Sequence, residues 1–515
     1  MMTELKEEIR TLLEEVLPLV DLDSDFLFAE LDSLGVTTIL MTLSANYNIE
    51  LEAEDATPKN LRNLDSITEM VKTKTMIENY IKQHAELMPE KAAIICDNEY
   101  VDYAHLWQQV KAQADLLRQQ GVKPGSVVVM RTSQTIGFLI DYFAVHIAGA
   151  VAMPLDHNIP QERFESIRQQ YEGKPMPDGV ADILFTTGTT GQSKGVMISH
   201  DTIMADAENL VDAHGYTRQT VFVVCGPLNH IGSLSKVYPV VMQGATLIIV
   251  DGMRDFDAFF RAMEYPSDKM ATFLVPANVR MLLMLAKKRL KPLAAKIDFI
   301  ESGAAHLMHS DMKALCELLP RTRLFNTYAS TETGIIATYN YNDGQCLPGC
   351  LGRTMKHAGI RISDDGLIVC SGRTLMTGYA DDQQLTDTIL RDGELYTSDL
   401  GRIDEQGMLH LMGREDDVIN VGGLKVAPLE VEDVAMEMPE VEDCICVEAP
   451  HPISGSSLKL IVVLKEGATL DRKKMAMFIN KYLETYKVPL TYEQTDRIRR
   501  TFNGKPDRKY YRMER

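Results

Sequence analysis

The sequence predicts a multidomain protein: a small all-α bundle, a large α/β domain and a small α+β domain at the C-terminal end. Three observations carry that prediction. At 515 residues the chain exceeds what one hydrophobic core ordinarily serves. Apolar residues recur at helical spacing near the front, then in short extended runs that alternate with helical stretches. Charge is uneven: residues 1–74 carry sixteen acidic and six basic side chains, half of the chain's net −20. With 45% hydrophobic and 24% charged residues, the composition is that of a folded chain rather than a disordered one.

In the first segment Leu5, Ile9, Leu12, Leu13 and Val16 share one helical face, and Val36, Ile39, Leu40, Leu43 and Tyr47 repeat the pattern after a loop. A helical bundle over 1–74 follows. The polar stretch 63–74 ends it, with 72–75 as a short linker. Over 76–413 the apolar runs 127–130, 183–185, 221–225, 247–250 and 273–275 read as strands between helices, which is α/β architecture. Over 414–515 strands at 444–448 and 458–464 precede a helix opening at Asp471.

Several function classes are excluded or narrowed. The longest apolar tract, 138–155, is broken by Asp141 and His146, which disfavours a membrane span. The acidic start, Met1 to Glu8, lacks the order of a signal peptide, so a cytoplasmic address is expected. Net negative charge argues against nucleic-acid binding. Cys444 and Cys446 fall on one face of a strand; they are read as ordinary strand cysteines, with a disulfide or metal pair as the alternative.

The sharpest chemical signal is Thr186, Thr187, Gly188, Thr189, Thr190, Gly191, Gln192, Ser193, Lys194 and Gly195, directly after an apolar strand. Glycines let backbone N–H groups close on an anion, hydroxyls flank them, and Lys194 supplies charge. That is a polyphosphate cradle. The Walker A spacing does not fit it. A Gly/Thr-rich surface turn is the bland alternative.

This loop resembles the phosphate-binding signature of the adenylate-forming superfamily of acyl-CoA synthetases, carrier-linked adenylation domains and luciferases, with Ser193 where proline is usual. The resemblance extends downstream in the same order. Asn326, Thr327, Tyr328, Ala329, Ser330, Thr331 and Glu332 resemble the family's aromatic and T-E segment, which implies Tyr328 against adenine and Glu332 holding Mg2+. Ser302, Gly303, Ala304 and Ala305 resemble the small-residue turn under the nucleoside. Thr397, Ser398 and Asp399 are similar to the T-G-D segment, implying ribose binding by Asp399. From Gly413 the run Arg414, Glu415, Asp416, Asp417 matches the junction before the C-terminal domain. It implies Arg414 on the nucleotide, Asp416 as hinge of a mobile small domain, and Gly422 and Gly423 facing the thiol tunnel. Asn503, Gly504 and Lys505 resemble the motif that carries the adenylation lysine.

Two features bear on the substrates. Pro227, Leu228, Asn229, His230, Ile231 and Gly232 resemble the segment of acyl- and aryl-CoA synthetases in which the histidine lies between acid pocket and thiol tunnel; a structural histidine is the alternative. No acidic residue follows between 227 and 236 to pair an amino-acid ammonium, so a non-amino aliphatic or aromatic acid is expected. The stretch from Asp156 to the loop, about thirty residues, is shorter than the family pattern and implies a missing strand–helix unit.

At the front, Leu31, Asp32, Ser33, Leu34 and Gly35 open the second helix. A serine there is either an N-cap or a hydroxyl offered to a partner enzyme. In a short acidic bundle it resembles the phosphopantetheine site of carrier proteins, most closely the D-alanyl carrier type, with Ser33 as attachment point. The resemblance implies three segments: a carrier-like domain over 1–74, a large adenylation subdomain over 76–413 and a small one over 414–515. It implies ATP, Mg2+, a carboxylic acid, and 4′-phosphopantetheine on Ser33 or free CoA. It also implies a phosphopantetheinyl transferase, and acyl-transfer or biosynthetic enzymes docking on the acidic carrier. The alternatives are a ligase using free CoA and a non-catalytic scaffold with a decayed adenylation fold.

Overall fold

A computed structural model describes residues 2–47, 49, 51–186, 194–452, 455–500 and 506–513. The chain divides into two compact units, Met1–Ala258 with Arg373–Thr386, and Phe259–Gly372 with Asp387–Arg515.

The first unit opens with the expected helical bundle. Helices Met2–Val16 and Ser33–Tyr47 bury Ile9, Leu13, Ile39 and Leu43 against one another. Val16, expected on the buried face, is the last residue of its helix and stays 42% exposed. The stretch 63–74 corrects the sequence reading: it is a further helix of the bundle, Leu64–Lys74, rather than an ending and a linker. Leu64, Ile67 and Val71 recur at helical spacing and are buried in the bundle core, which outweighs the polar composition. Asn63 and Ser66 cap its start reciprocally: Ser66 N donates to Asn63 Oδ1 and Asn63 N to Ser66 Oγ, each at 3.0 Å. Only Thr75, Met76 and Ile77 separate this helix from the next, Glu78–Leu87, and Ile77 is fully buried.

The rest of the first unit is α/β. Strands Val127–Arg131, Val151–Leu155 and Val180–Thr186 run parallel, and Lys194–Ser199 returns antiparallel to the last of them. Gly378–Tyr379 extends that edge. A single helix, Gln161–Tyr171, makes the crossover between Val151–Leu155 and Val180–Thr186. A second sheet places Val221–Val224, Thr246–Ile249 and Ala92–Cys96 side by side in parallel, with Glu99–Asp102 antiparallel at its edge. The tract 138–155 resolves into helix Ile136–Ile147, capped by Thr135 Oγ1, and the buried strand Val151–Leu155. Among the described residues no helix is long and apolar enough to cross a membrane.

His146, which interrupted that tract, sits on an ion network at zero exposure. It donates Nδ1–H to Glu78 Oε1 at 2.7 Å and Nε2–H to Asp182 Oδ1 at 3.0 Å. Tyr142 OH donates to Asp182 Oδ2 at 2.8 Å. Burial opposes the imidazolium, but the two carboxylates outweigh it and raise His146 to about 10. Glu78 is correspondingly lowered: its burial, the largest single effect, is outweighed by the His146 charge and hydrogen bond acting together with smaller contributions. Helix Glu78–Leu87, helix Ile136–Ile147 and strand Val180–Thr186 are thereby tied at one point.

In the second unit Met270–Leu274, Ile297–Ser302 and Arg323–Ser330 are parallel neighbours. The sheet continues antiparallel through Gly334–Asn340, Cys350–Thr354, Leu409–Arg414, Glu394–Ile403, Leu367–Gly372 and Ala358–Ile362. Beyond Arg414 come a short hairpin, Ile419–Val421 with Leu424–Val426, and helix Pro428–Met436. Strands Val441–His451 and Gly455–Leu464 pair antiparallel, and Thr491–Gln494 lies parallel to the second. Asp471 caps helix Arg472–Tyr482, its Oδ1 accepting from Lys474 N at 2.9 Å, as the sequence predicted. Cys444 and Cys446 are free, fully buried core residues of their strand.

Replacing His146 with alanine removes the cation between two buried carboxylates. The expected loss is about 3–5 kcal/mol of unfolding free energy, measured by urea denaturation at pH 7; a loss under about 1 kcal/mol would make the network idle. The pH dependence has a definite sign. The His146 contribution is complete below its ordinary 6.5 and is lost as pH rises through about 10. The Glu78 contribution is complete above its ordinary 4.5 and is lost as pH falls through its depressed value. A thermal midpoint highest between those two ordinary values and declining toward pH 10 is expected of the wild type, with the alkaline decline shallower in His146→Ala.

Candidate active site

Within the first unit, the proposed phosphate loop is bounded by a β-hairpin. Thr186 ends one strand, Lys194 opens the next, and the two are register partners, as are Phe185 and Gly195. The ends of the loop are therefore held side by side by a ladder. Thr187, Gly188, Thr189, Thr190 and Gly191, assigned to phosphate binding from sequence, lie outside the described residues, as do Gln192 and Ser193. Lys194 Nζ stands 5.3 Å from the ring centroid of Tyr379, a cation–π contact that nothing in the local sequence signals. Tyr379 reaches it because Gly378–Tyr379 pairs with the outer edge of strand Lys194–Ser199. At Gly195 a Cβ would lie 2.9 Å from Ile183 Cγ2, so glycine is required where the hairpin strands pack.

His230 precedes the short helix Ile231–Leu234 in extended conformation, φ −115°. Burial lowers its pKa, with Asp156 opposing weakly, so the imidazole is neutral near pH 7. Asn229 beside it is buried, and its Oδ1 has no hydrogen-bond partner among the described residues.

Within the second unit, most residues assigned to the nucleoside converge. Strand Ile297–Ser302 pairs with Arg323–Ser330 so that Ser302 faces Asn326, bringing the turn Gly303, Ala304, Ala305 beside Thr327. A Cβ on Gly303 would meet Thr327 O at 2.8 Å; the approach needs glycine. Ala304 takes φ +67°, one of three non-glycine residues described with positive φ, and such strain gathers at functional sites. Asn326 Nδ2 donates to Cys350 O at 3.0 Å, and the Thr327 and Thr338 hydroxyls lie 3.1 Å apart. Tyr328 OH donates to Asp399 Oδ2 at 2.8 Å. Burial and then the Asp399 charge raise the Tyr328 phenol, keeping it a donor. Asp399 is the register partner of Arg414, whose Nε lies 3.5 Å from Asp399 Oδ1. Tyr328, Asp399 and Arg414, scattered in sequence, thus form one polar constellation.

Thr331 and Glu332 occupy the tip of the hairpin joining Arg323–Ser330 to Gly334–Asn340. Ser330 and Thr333 exchange hydrogen bonds of 3.0 Å across it, and Gly334 at φ +65° closes it. The Glu332 carboxylate is half-buried there, an oxygen donor suited to a hard cation. Asp416 is exposed in the 3-10 turn Glu415–Asp417 immediately after the sheet ends. Gly422 and Gly423, at φ +60° and +95°, form the two-residue turn of the following hairpin, with Asn420 Oδ1 accepting from Gly423 N at 2.7 Å. Lys505 lies outside the described residues.

Ser33 is exposed at the first position of helix Ser33–Tyr47, and the cap is its neighbour: Asp32 Oδ1 accepts from Gly35 N at 2.7 Å. The N-cap alternative for Ser33 is thereby removed, and its hydroxyl is available for attachment. Among the described residues one group, Glu78, His146 and His200, has metal-like spacing. Both nitrogens of His146 are committed to carboxylates, at 2.7 and 3.0 Å, so the group reads as a structural ion network. Burial, with the His146 charge, pushes His200 down to about 4.

Comparison with known proteins gives a consistent pattern. The profile of the AMP-binding enzymes matches residues 81–174 and 165–380, two pieces that overlap in the stretch found short from sequence. The AMP-binding enzyme C-terminal domain matches 430–505, and the phosphopantetheine attachment site matches 4–71. Among curated relatives, indoleacetate–CoA ligase of Aromatoleum aromaticum is 27% identical over 83% of this chain and 96% of that protein. Feruloyl-CoA synthase of an Amycolatopsis species is 26% identical over 82% and 96%. Among solved structures, ATP-bound MatB from Rhodopseudomonas palustris has a TM-score of 0.74 at 24% identity, covering 84% of this chain and 98% of that one. The amide bond synthetase McbA from Marinactinospora thermotolerans has a TM-score of 0.75 at 22% identity, covering 85% and 99%. These structures share the fold.

Gly303→Ala tests the cradle. The added Cβ must displace Thr327 O, at an expected cost of about 1–3 kcal/mol in stability. ATP binding, measured by isothermal titration calorimetry, is expected to weaken about tenfold or more; unchanged affinity would separate the turn from the nucleotide.

Proposed function

The chain belongs to the AMP-binding enzyme family, and from that premise we propose that it activates a non-amino aliphatic or aromatic carboxylic acid as acyl-AMP and then passes the acyl group to a pantetheine thiol on Ser33. The coarser activity is that of an AMP-forming acid–thiol ligase with a carrier domain. We place the domain boundaries at 1–74, 76–413 and 414–515. The observation that carries the reading is the constellation of Tyr328, Asp399 and Arg414 beside the Gly303–Ala305 turn, because it gathers the resemblance's nucleoside residues from three separate strands and a turn.

In the first half-reaction a carboxylate oxygen attacks the α-phosphorus and pyrophosphate leaves. The loop 187–193 and Lys194 are assigned to the phosphates, where backbone N–H groups and an ammonium offset the leaving charge. Asp399 accepts from the ribose hydroxyls, Tyr328 flanks the base and Arg414 lies on the nucleotide. Glu332 and its hairpin fit Mg2+ as an oxygen site and would hold it; the ion would supply positive charge to offset that of the phosphates. Lys505 is assigned to the space between carboxylate and α-phosphate, where an ammonium stabilises charge developing in the transition state. Asp416, exposed in the turn after Arg414, is the proposed hinge of the small domain.

In the second half-reaction a thiol displaces AMP from the acyl carbon. Neutral His230 is positioned in the proposal between acid and thiol, and Gly422 and Gly423 leave the hairpin turn free of side chains where the arm passes. Ser33 fits 4′-phosphopantetheine because Asp32 does the capping and the serine hydroxyl is exposed. A phosphopantetheinyl transferase is then required. A second reading, transfer to free CoA, is favoured by the names of the curated relatives, which are CoA ligases. Downstream acyl-transfer enzymes meeting the acidic bundle, and a cytoplasmic site of action, belong to the first reading.

Acid-dependent ATP–pyrophosphate exchange across aliphatic, aromatic and amino acids is the primary assay. Exchange with at least one non-amino acid is expected, falling about 100-fold or more in Lys505→Ala; an undiminished rate in that variant would remove Lys505 from adenylation. Ser33→Ala should keep exchange but lose covalent acyl-protein by mass spectrometry. If the variant still accumulates acyl-protein, Ser33 is not the attachment site; if wild type releases acyl-CoA and never carries acyl itself, the free-CoA reading holds.

A further inference from the structure

Glu432 is a buried carboxylate, 1% exposed, that the proposed chemistry does not use, and the cation that meets it stands three positions after Lys505. Glu432 lies on helix Pro428–Met436, and its Oε1 accepts from Cys446 N of strand Val441–His451 at 2.6 Å. Its Oε2 accepts from Arg508 Nη2 at 2.7 Å. Arg508 Nη1 donates to Cys446 O at 2.9 Å, and Arg508 Nε lies 3.4 Å from Asp417 Oδ2 in the turn Glu415–Asp417. Three nitrogens of one guanidinium therefore join a helix, a strand and a turn. A lysine ammonium is a point charge without that planar fork and does not serve all three acceptors at once.

Arg508 also borders a segment whose two ends are fixed. The stretch 501–505, which contains Lys505, lies outside the described residues. Before it, Ile498 is buried with Ile445, Val447, Ile461 and Val463, and Arg500 Nη2 pairs with Asp443 Oδ2 at 2.6 Å. After it, Pro506 forms an antiparallel bridge with Arg500, and Asp507 N donates to Arg499 O at 2.9 Å. Arg499 Nε lies 3.3 Å from Asp507 Oδ2, but its side chain is 58% exposed, whereas that of Arg508 is 16% exposed and meets the buried Glu432. Arg508 is thus the deeper tether on the returning side. Its contact with Asp417 has a second consequence. Arg414 is the register partner of Asp399 in the large sheet, and Asp417 is held by Arg508, so Glu415 and the proposed hinge residue Asp416 are what lie between the two attachments.

We propose that Arg508 is a positioning residue for adenylation: by holding Glu432, Cys446 O and Asp417 together, it sets where the segment that carries Lys505 returns to the small domain and fixes that domain's end of the hinge. The inference rests on the reading of Lys505 as the adenylation lysine. In this role Arg508 acts through Lys505 and not on the reacting atoms. The physical reason is precision. An ammonium stabilises charge developing on a phosphate only when it is already in place, and misplacing such a group by about 1 Å costs about a hundredfold in rate. Glu432 makes the tether durable, because a buried carboxylate is strongly destabilised when its cation leaves.

The test uses the full chain and the acid that gives the fastest ATP–pyrophosphate exchange in the panel of acids. Arg508→Ala should lower kcat of exchange about tenfold or more, with KM for ATP within about twofold of wild type. Transfer from ready-made acyl-AMP to the accepting thiol, a step that needs no adenylation lysine, should stay within about threefold. Added guanidinium ion should recover exchange in Arg508→Ala and not in Lys505→Ala. Arg508→Lys keeps a cation against the buried Glu432, which protects folding, and the same selective loss of exchange is expected of it. Unchanged exchange in Arg508→Ala, or equal losses in both half-reactions in Arg508→Lys, overturns the proposal. Wild-type exchange in Lys505→Ala would remove the reading of Lys505 and this inference with it, a result told apart from the others because Arg508 is then intact.

Discussion

The imidazolium of His146, held between Glu78 and Asp182 with no access to water, is the interaction on which the first unit depends. A buried ion is costly unless it is paired and hydrogen-bonded. Here both ring N–H groups reach a carboxylate and Tyr142 takes the second oxygen of Asp182. Because Asp182 is on strand Val180–Thr186, the network fixes the strand whose end opens the proposed phosphate loop. That strand is thus tied to a helix about a hundred residues earlier, through an ion pair rather than through local sequence. The carrier bundle is close to this anchor as well, since only three residues separate its last helix from Glu78.

In the second unit the limiting factor is backbone proximity. Gly303 has no room for a Cβ against Thr327 O, and Ala304 is held at positive φ. Parallel pairing of Ile297–Ser302 with Arg323–Ser330 imposes that approach, and antiparallel pairing of Glu394–Ile403 with Leu409–Arg414 sets Asp399 opposite Arg414. The Tyr328 phenol joins the two by donating to Asp399. A planar base and a ribose need such a surface: small residues where the backbone comes near, and acceptors already oriented.

The bundle and the segment after Arg414 make a useful contrast in what local pattern can reveal. Asp471 as a helix cap, and the strands around Cys444 and Leu460, were legible because capping and alternation are local. The helix Leu64–Lys74 was misread as a polar ending. Its apolar positions are few, and only contact with Ile9, Leu13, Ile39 and Leu43 makes it part of a core. Ser33 shows the reverse: the sequence favours an attachment site with an N-cap as the alternative, and the Asp32 hydrogen bond to Gly35 N gives the cap to its neighbour.

By itself the sequence determined the fold class, the order of the motifs and the residue types of the proposed site, because glycine-rich turns, strand alternation and caps are written in neighbouring residues. Tertiary structure alone decided which distant side chains meet. Glu78, His146 and Asp182 carry no motif, and their joint burial appears only when two helices and a strand pack. Lys194 meets Tyr379 across a strand edge, and Tyr328 meets Asp399 across a sheet. Charges and aromatic rings act over a few ångströms of space, and only packing brings such residues within that range.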